Sequence, residues 1–230
     1  MFVSLPYRQR GSLRWATPLL LASLLLANLW TALYSSDGYA RLLQDWGALA
    51  GGLDSAAEWR TSLQDGRVLR LFTALFLHAD SVHLLGNLVF LLIFGLPTER
   101  SMGAWRFLAL FLLGGAVANL VAVLVLDVPD RVIIGASGAV SAVIGAYLAL
   151  FPRARLGVVL PLGLFLQFVK APASLLIGIW ALLQVLFAYI GPAFGTVAWS
   201  AHIAGFLCGI GFALFMRAGI THRLRKQKGY

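Results

Sequence analysis

Charged side chains divide this chain into long apolar blocks. Runs free of Asp, Glu, Lys and Arg cover 15–36, 81–98, 107–126, 132–152, 156–169 and 171–216, with lengths of 22, 18, 20, 21, 14 and 46 residues. A helix needs about 20 apolar residues to cross ~30 Å of hydrocarbon, so four of the runs predict one span each. The 46-residue run predicts two, divided at the turn-forming cluster Gly191-Pro192-Ala193-Phe194-Gly195. The 14-residue run is too short, and Gly157, Pro161 and Gly163 weaken it as a helix. It reads as an interfacial or re-entrant segment, 156–169. The pattern predicts an all-α polytopic membrane protein with six transmembrane helices.

Composition supports the pattern. Hydrophobic types make up 60% of the 230 residues and charged types 12%, against ~25% charged in a soluble domain. A soluble globule of this size has too little interior for so much apolar surface. One cysteine, Cys208, rules out a disulfide scaffold. The net charge of +9 raises nucleic acid as a partner. That reading needs basic residues on one solvated face, and here they sit between apolar runs, so no nucleic-acid partner is expected.

The basic residues instead orient the chain. Six spans with a cytoplasmic N-terminus leave 13 of the 18 basic residues inside and five (Arg41, Arg60, Arg67, Arg70, Arg131) outside. A seventh span would export the tail Arg223-Leu224-Arg225-Lys226-Gln227-Lys228, against the positive-inside rule. The expected organisation is a cytoplasmic N-terminal segment, 1–14, a six-helix membrane domain, 15–218, and a basic cytoplasmic tail, 219–230. The first apolar run, longer than a signal-peptide core and without a convincing cleavage site after it, is expected to be a retained helix. The long outer loop, 37–80, carries Trp46, Trp59, Leu49, Leu69 and Leu71. It is expected to lie partly against the outer leaflet.

Polar groups inside spans are expensive in lipid and mark function. His83 and Asn87 open the second span at i,i+4 spacing, with His78 just before them. Gly135-Ala136-Ser137-Gly138 opens the fourth, and Ser200-Ala201-His202-Ile203-Ala204-Gly205 opens the sixth. Even-numbered helices all run inward in the six-span topology. Ser137, His83, Asn87 and His202 therefore share one layer below the outer surface, with Ser137 about 7 Å deep at ~1.5 Å per residue. Such a layer holds what a nucleophile, a base and oxyanion donors require. The helix start at Ser137 would add unpaired backbone N–H groups.

Other chemistries for cutting peptide bonds lack their residues. No His-Glu-x-x-His sequence occurs, so no metal site and no cofactor are expected. Every Asp lies in an outer loop, which removes an aspartyl pair, and no carboxylate falls near His202. A serine–histidine dyad survives.

With these residues in view, the sequence resembles the rhomboid intramembrane serine proteases, from about Arg70 to Ala213. The motifs carrying the resemblance are His78-x4-His83-x3-Asn87, Gly135-x-Ser137-Gly138 and Ala201-His202-x2-Gly205-x3-Gly209, in the second, fourth and sixth predicted helices. The resemblance implies Ser137 as nucleophile and His202 as general base. It implies an oxyanion hole of His83, Asn87 and the Ser137 N–H. Glu99 is similar to the family's glutamate that braces the inner loop, and Arg70 stands where the family has the arginine of a Trp-Arg pair. Two positions depart from the family pattern. Ser141 stands where an aromatic residue commonly packs on the catalytic imidazole, and Leu69 replaces the tryptophan.

The resemblance implies a serine endopeptidase of the bacterial inner membrane. It would hydrolyse single-pass transmembrane proteins near the outer leaflet, with membrane lipid as its other partner. The alternative is a non-catalytic rhomboid-like protein that binds or delivers membrane clients. Loss of the serine or histidine would mark that alternative, and both are present. Small residues at i,i+4 (Ser137, Ser141 and Gly145; Gly205 and Gly209) predict two closely approaching helices.

Overall fold

The computed structural model describes residues 14–228 except 52, 54, 127, 129–130, 163–164 and 191–197. Six apolar helices occupy the predicted blocks. They are α1 (Ala16–Thr31), a rod over Ser81–Met102, α7 (Ala104–Val125), α8 (Ser137–Leu150), α9 (Ala173–Ile190) and α10 (Trp199–Phe215). The rod, α7 and α9 are long and apolar enough to cross a membrane, and α10 joins them when taken with α11 (Arg217–Lys228), from which it bends by 55°. α1 and α8 are shorter apolar helices of 16 and 14 residues.

The rod runs past its predicted end, through Glu99 and Arg100. It comprises α5 (Ser81–Phe90), a π-helical turn over Leu91–Gly95 and α6 (Leu96–Met102). Pro97 explains the π turn: it offers no N–H to the preceding turn, and its ring crowds the carbonyl four residues back. Gly103, at φ +90°, ends the rod and opens α7. A side chain there would also meet the Arg223 guanidinium of α11 at 2.8 Å.

α8 is the central helix. Every residue from Gly138 to Tyr147 is buried, as expected of a helix that is apolar all round. It packs on α7, α10 and the rod. Phe107, Leu110 and Phe111 of α7, Leu91 and Phe94 of the rod, and Leu24 of α1 complete the core around it. α9 is peripheral, with Leu182, Val185 and Tyr189 exposed.

Three expectations change. The 21-residue run 132–152 makes only the 14-residue α8, because Gly135 at φ +112° breaks the helix path. The residues ahead of Ser137 form a strand and a turn, so depth counted at helical rise from residue 132 does not apply. The short run is a β-hairpin, β3 (Arg155–Leu162) against β4 (Phe165–Pro172), paired antiparallel from Arg155↔Pro172 to Leu162↔Phe165. Valine and phenylalanine types there favour strand. The molecule is thus all-helical in its membrane body but carries small β elements. The expected break at Gly191–Gly195 lies outside the described residues, as does most of segment 1–14.

The long loop is structured. After Thr31 the chain turns into α2 (Ser36–Trp46), capped by Ser35. A two-residue strand, β1 (Ala48–Leu49), and α3 (Ala56–Gln64) follow, the latter opened by a Ser55–Glu58 capping box. A 3₁₀ turn and α4 (Arg70–Thr73) lead to a second 3₁₀ turn over Ala74–Phe76. β1 pairs with β2 (Val132–Ile133), Ala48 opposite Ile133 and Leu49 opposite Val132. The loop is thereby tied to the segment that delivers Ser137.

Candidate active site

Ser137 is the first residue of α8, placed there by the left-handed Gly135. Its Oγ lies 2.8 Å from His202 Nε2, 65 residues away on α10. The closeness of α8 and α10 sets this distance. A methyl added to Gly205 would fall on the Gly138 carbonyl oxygen, one on Gly209 on the Ala142 carbonyl oxygen, and one on Gly145 on the Phe206 carbonyl oxygen. These obstacles are backbone and cannot rotate away. Gly138 makes the same close approach to α7, where a methyl would meet Ala118 Cβ at 2.6 Å.

α8 also supplies donors. Residues of a first helical turn have no carbonyl four residues back, which leaves the N–H groups of Ser137, Gly138 and Ala139 free of intrahelical partners. The Gly135 N–H donates to the Ala74 carbonyl at 2.9 Å, fixing the turn to the long loop.

α5 brings the second motif. Asp80 caps it, accepting from the His83 backbone N–H at 2.8 Å, and this bond holds the Asp80 carboxyl below its usual range. The His83 ring lies over Gly135, where a side chain would meet Cε1 at 2.6 Å. Glycine at 135 thus satisfies both the positive φ and the ring. Asn87 is buried and does not turn to His83: its Nδ2 lies 3.0 Å from His78 Nε2. The Ala136 N–H reaches the same nitrogen at 3.4 Å. His78 is therefore a buried hub joining α5 to the turn before Ser137. Its carbonyl accepts from the Tyr39 hydroxyl of α2 at 2.5 Å. Burial, with the nearby His83 adding, pushes the His78 pKa down to about 4. The ring is neutral at pH 7, and the single lone pair of its Nε2 takes the Asn87 N–H at 3.0 Å, with the Ala136 N–H as a longer shared contact at 3.4 Å.

Two predicted residues lie elsewhere. Glu99 is buried at the far end of the rod, about 24 Å from His83 at ~1.5 Å per residue. Its carboxylate accepts from the Ala16 and Thr17 N–H groups at 2.9 and 2.8 Å and so caps α1. Negative charge suits that helix N-terminus. Arg70 donates to the Gln44 carbonyl at 2.9 Å and so braces the long loop. Thr73 supports it by donating to the Trp46 carbonyl at 2.6 Å.

Sequence reasoning missed three contributors. Gln184 of α9 places its Oε1 2.7 Å from His202 Nδ1. Trp199 meets the His202 ring edge-on, centroids 5.7 Å apart, and itself stacks with Phe187 at 4.9 Å. Aromatic support for the imidazole thus comes from Trp199 of α10, itself backed by Phe187 of α9. Ser141, where the aromatic was expected, donates to the Ser137 carbonyl at 2.7 Å. Asn119 of α7 donates to the Leu71 carbonyl at 2.8 Å, anchoring α4 on the bundle. Only the polar character of Gln184 and Asn119 within apolar runs could have flagged them. Among the described residues no group of three or more His, Cys, Asp or Glu side chains could hold a metal ion, and Cys208 is a half-buried free thiol on α10.

Known proteins are similar to this chain in sequence. An Arabidopsis thaliana protein, RHOMBOID-like protein 6, mitochondrial, is 31% identical over 168 residues, 70% of this chain and 48% of that protein. Rhomboid-related protein 1 of Caenorhabditis elegans is 29% identical over 175 residues, 70% of this chain and 44% of its own length. Rhomboid-like protease 3 of Toxoplasma gondii is 36% identical over 93 residues, covering 40% and 35%. The chain spans less than half the length of each of these relatives. A family model described as the Rhomboid domain matches residues 65–219, a stretch holding Ser137, His202 and the glycines that bring them together. This integral membrane chain belongs to the rhomboid family.

Proposed function

We propose that the protein is an intramembrane serine endopeptidase acting on single-pass transmembrane proteins. The 2.8 Å contact between Ser137 Oγ and His202 Nε2, at the start of a buried helix, carries this reading. Ser137 Oγ attacks the scissile carbonyl carbon while His202 Nε2 takes its proton. The carbonyl oxygen becomes an oxyanion facing the α8 N-terminus, with His83 and Asn87 as side-chain donors. The second N–H of Asn87, not used on His78, is the one that serves. The C–N bond then breaks and the imidazolium returns its proton to the departing amine. Water deacylates the serine ester through the same base, releasing the carboxylic acid and restoring Ser137.

The topology belongs to the same proposal: six crossings, both ends cytoplasmic, in a bacterial inner membrane. α1 and α8 give about 24 and 21 Å at ~1.5 Å per residue, short of ~30 Å. Their flanking turns and the β1–β2 ribbon complete the crossing. A Ser137 at the end of a short central helix then sits below the outer surface, where water can reach it. Exposed Trp46, Leu63 and Leu69 suit a long loop lying on the outer leaflet, and the β3–β4 hairpin suits the interface.

Reconstitution tests the reading. Liposomes holding the protein and a single-pass substrate should yield two fragments cut near the outer end of the substrate helix. Ser137→Ala and His202→Ala should each abolish them. Cleavage that survives Ser137→Ala would overturn the proposal.

A further inference from the structure

α9 is the least buried of the long apolar helices, yet Gln184 on it is only 7% exposed. A buried amide without a partner in apolar surroundings is costly. Its acceptor is spent on one atom, Nδ1 of His202, at 2.7 Å. The opposite ring nitrogen is on Ser137 at 2.8 Å, and Trp199 closes on the ring from the side. The imidazole is therefore held at both nitrogens.

We propose that Gln184 is a positioning residue that selects the working tautomer of His202, an inference that rests on the protease reading above. A neutral imidazole carries one N–H. An amide oxygen only accepts, so with Oε1 at Nδ1 the proton resides on Nδ1. Nε2 then presents its lone pair to the Ser137 hydroxyl. The reverse tautomer would place an N–H against Ser137 and leave no base. When Nε2 takes the serine proton, both nitrogens carry hydrogens and the ring is cationic. The Nδ1–H···Oε1 bond becomes charge-assisted and strengthens. Gln184 takes no proton; the proton passes from Oγ to Nε2 and on to the leaving amine. Because the bond strengthens only as charge develops, it acts on kcat and leaves KM alone. The amide does here the orienting work of the missing carboxylate, and with Trp199 it replaces the aromatic support absent at Ser141.

Two variants separate this from a packing role. Gln184→Met keeps the length of the side chain without the oxygen, and Gln184→Glu keeps an acceptor oxygen at the same reach. In liposomes, Gln184→Met should lower kcat about tenfold, with KM within about twofold of wild type. Gln184→Glu should keep kcat within about threefold of wild type. A Met variant with wild-type kcat, or a Glu variant as slow as the Met variant, overturns the inference. Imidazole ¹⁵N spectra of the intact protein decide it independently of turnover. His202 should be protonated at Nδ1 in wild type, with the alternative tautomer gaining population in Gln184→Met. Protonation at Nε2 in wild type would overturn it. Failure of the protease reading looks different: cleavage that survives Ser137→Ala.

Discussion

Gly205→Ala adds one methyl where α8 and α10 leave no room for it. The added methyl falls on the Gly138 carbonyl oxygen, 3.0 Å from its carbon and 3.4 Å from Ala118 Cβ. None of these atoms can swing aside, so α8 and α10 must part by about 1 Å. The Ser137–His202 bond, 2.8 Å long, would stretch to nearly ~4 Å, beyond a hydrogen bond. Overpacking of this kind costs about 1–3 kcal/mol, offset in part by up to ~1 kcal/mol from the better helix propensity of alanine. Misplacement of reacting groups by 1 Å costs about 10²-fold in rate. Gly205→Ala should therefore be folded and about a hundredfold slower. Gly211→Ala is the matched control: it lies on the same helix, and its methyl would meet nothing within 4 Å. It should keep full activity and gain a few tenths of a kcal/mol or more in stability. Cleavage rates in liposomes and thermal unfolding in detergent measure both quantities. Wild-type cleavage by Gly205→Ala would refute the argument that close helix approach sets the Ser–His distance.

Two further outcomes are expected. Asn87→Ala, read by kcat and KM in liposomes, should lose about 10²–10³ in kcat, the usual effect of removing one oxyanion donor, with KM little changed; a normal kcat would leave Asn87 as a packing partner of His78 alone. Stability should fall as pH drops from about 6.5 toward 4, because the unfolded chain binds a proton at His78 that the folded site, with its pKa near about 4, excludes; thermal scans of His78→Leu should show a shallower decline across that window than wild type.

The gross architecture was legible because charge is costly in lipid. Interruptions by Arg14, Asp80, Arg106, Arg131 and Lys170 bound the apolar blocks, and an apolar helix lies in every block long enough to hold one. Local backbone chemistry was harder to read. Gly135 shortens α8 through a single left-handed residue, and Pro97 inserts a π turn without ending its helix. Hydropathy registers neither. The site was legible where chemistry-bearing residues open helices, as Ser137, His83 and His202 do. Its supports were not, since each depends on how two helices are rotated against each other. Gln184 meets a histidine 18 residues later on another helix, and Glu99 caps a helix 83 residues earlier. No short spacing encodes either contact.

Covalent labelling with a fluorophosphonate probe tests the central claim most directly, that His202 activates Ser137 as a nucleophile. Purified protein in liposomes should take one probe per chain, with the adduct located on Ser137 by peptide mass spectrometry. Labelling should vanish in Ser137→Ala and fall to near background in His202→Ala. Equal labelling of wild type and Ser137→Ala, or an adduct on any other residue, would contradict the account.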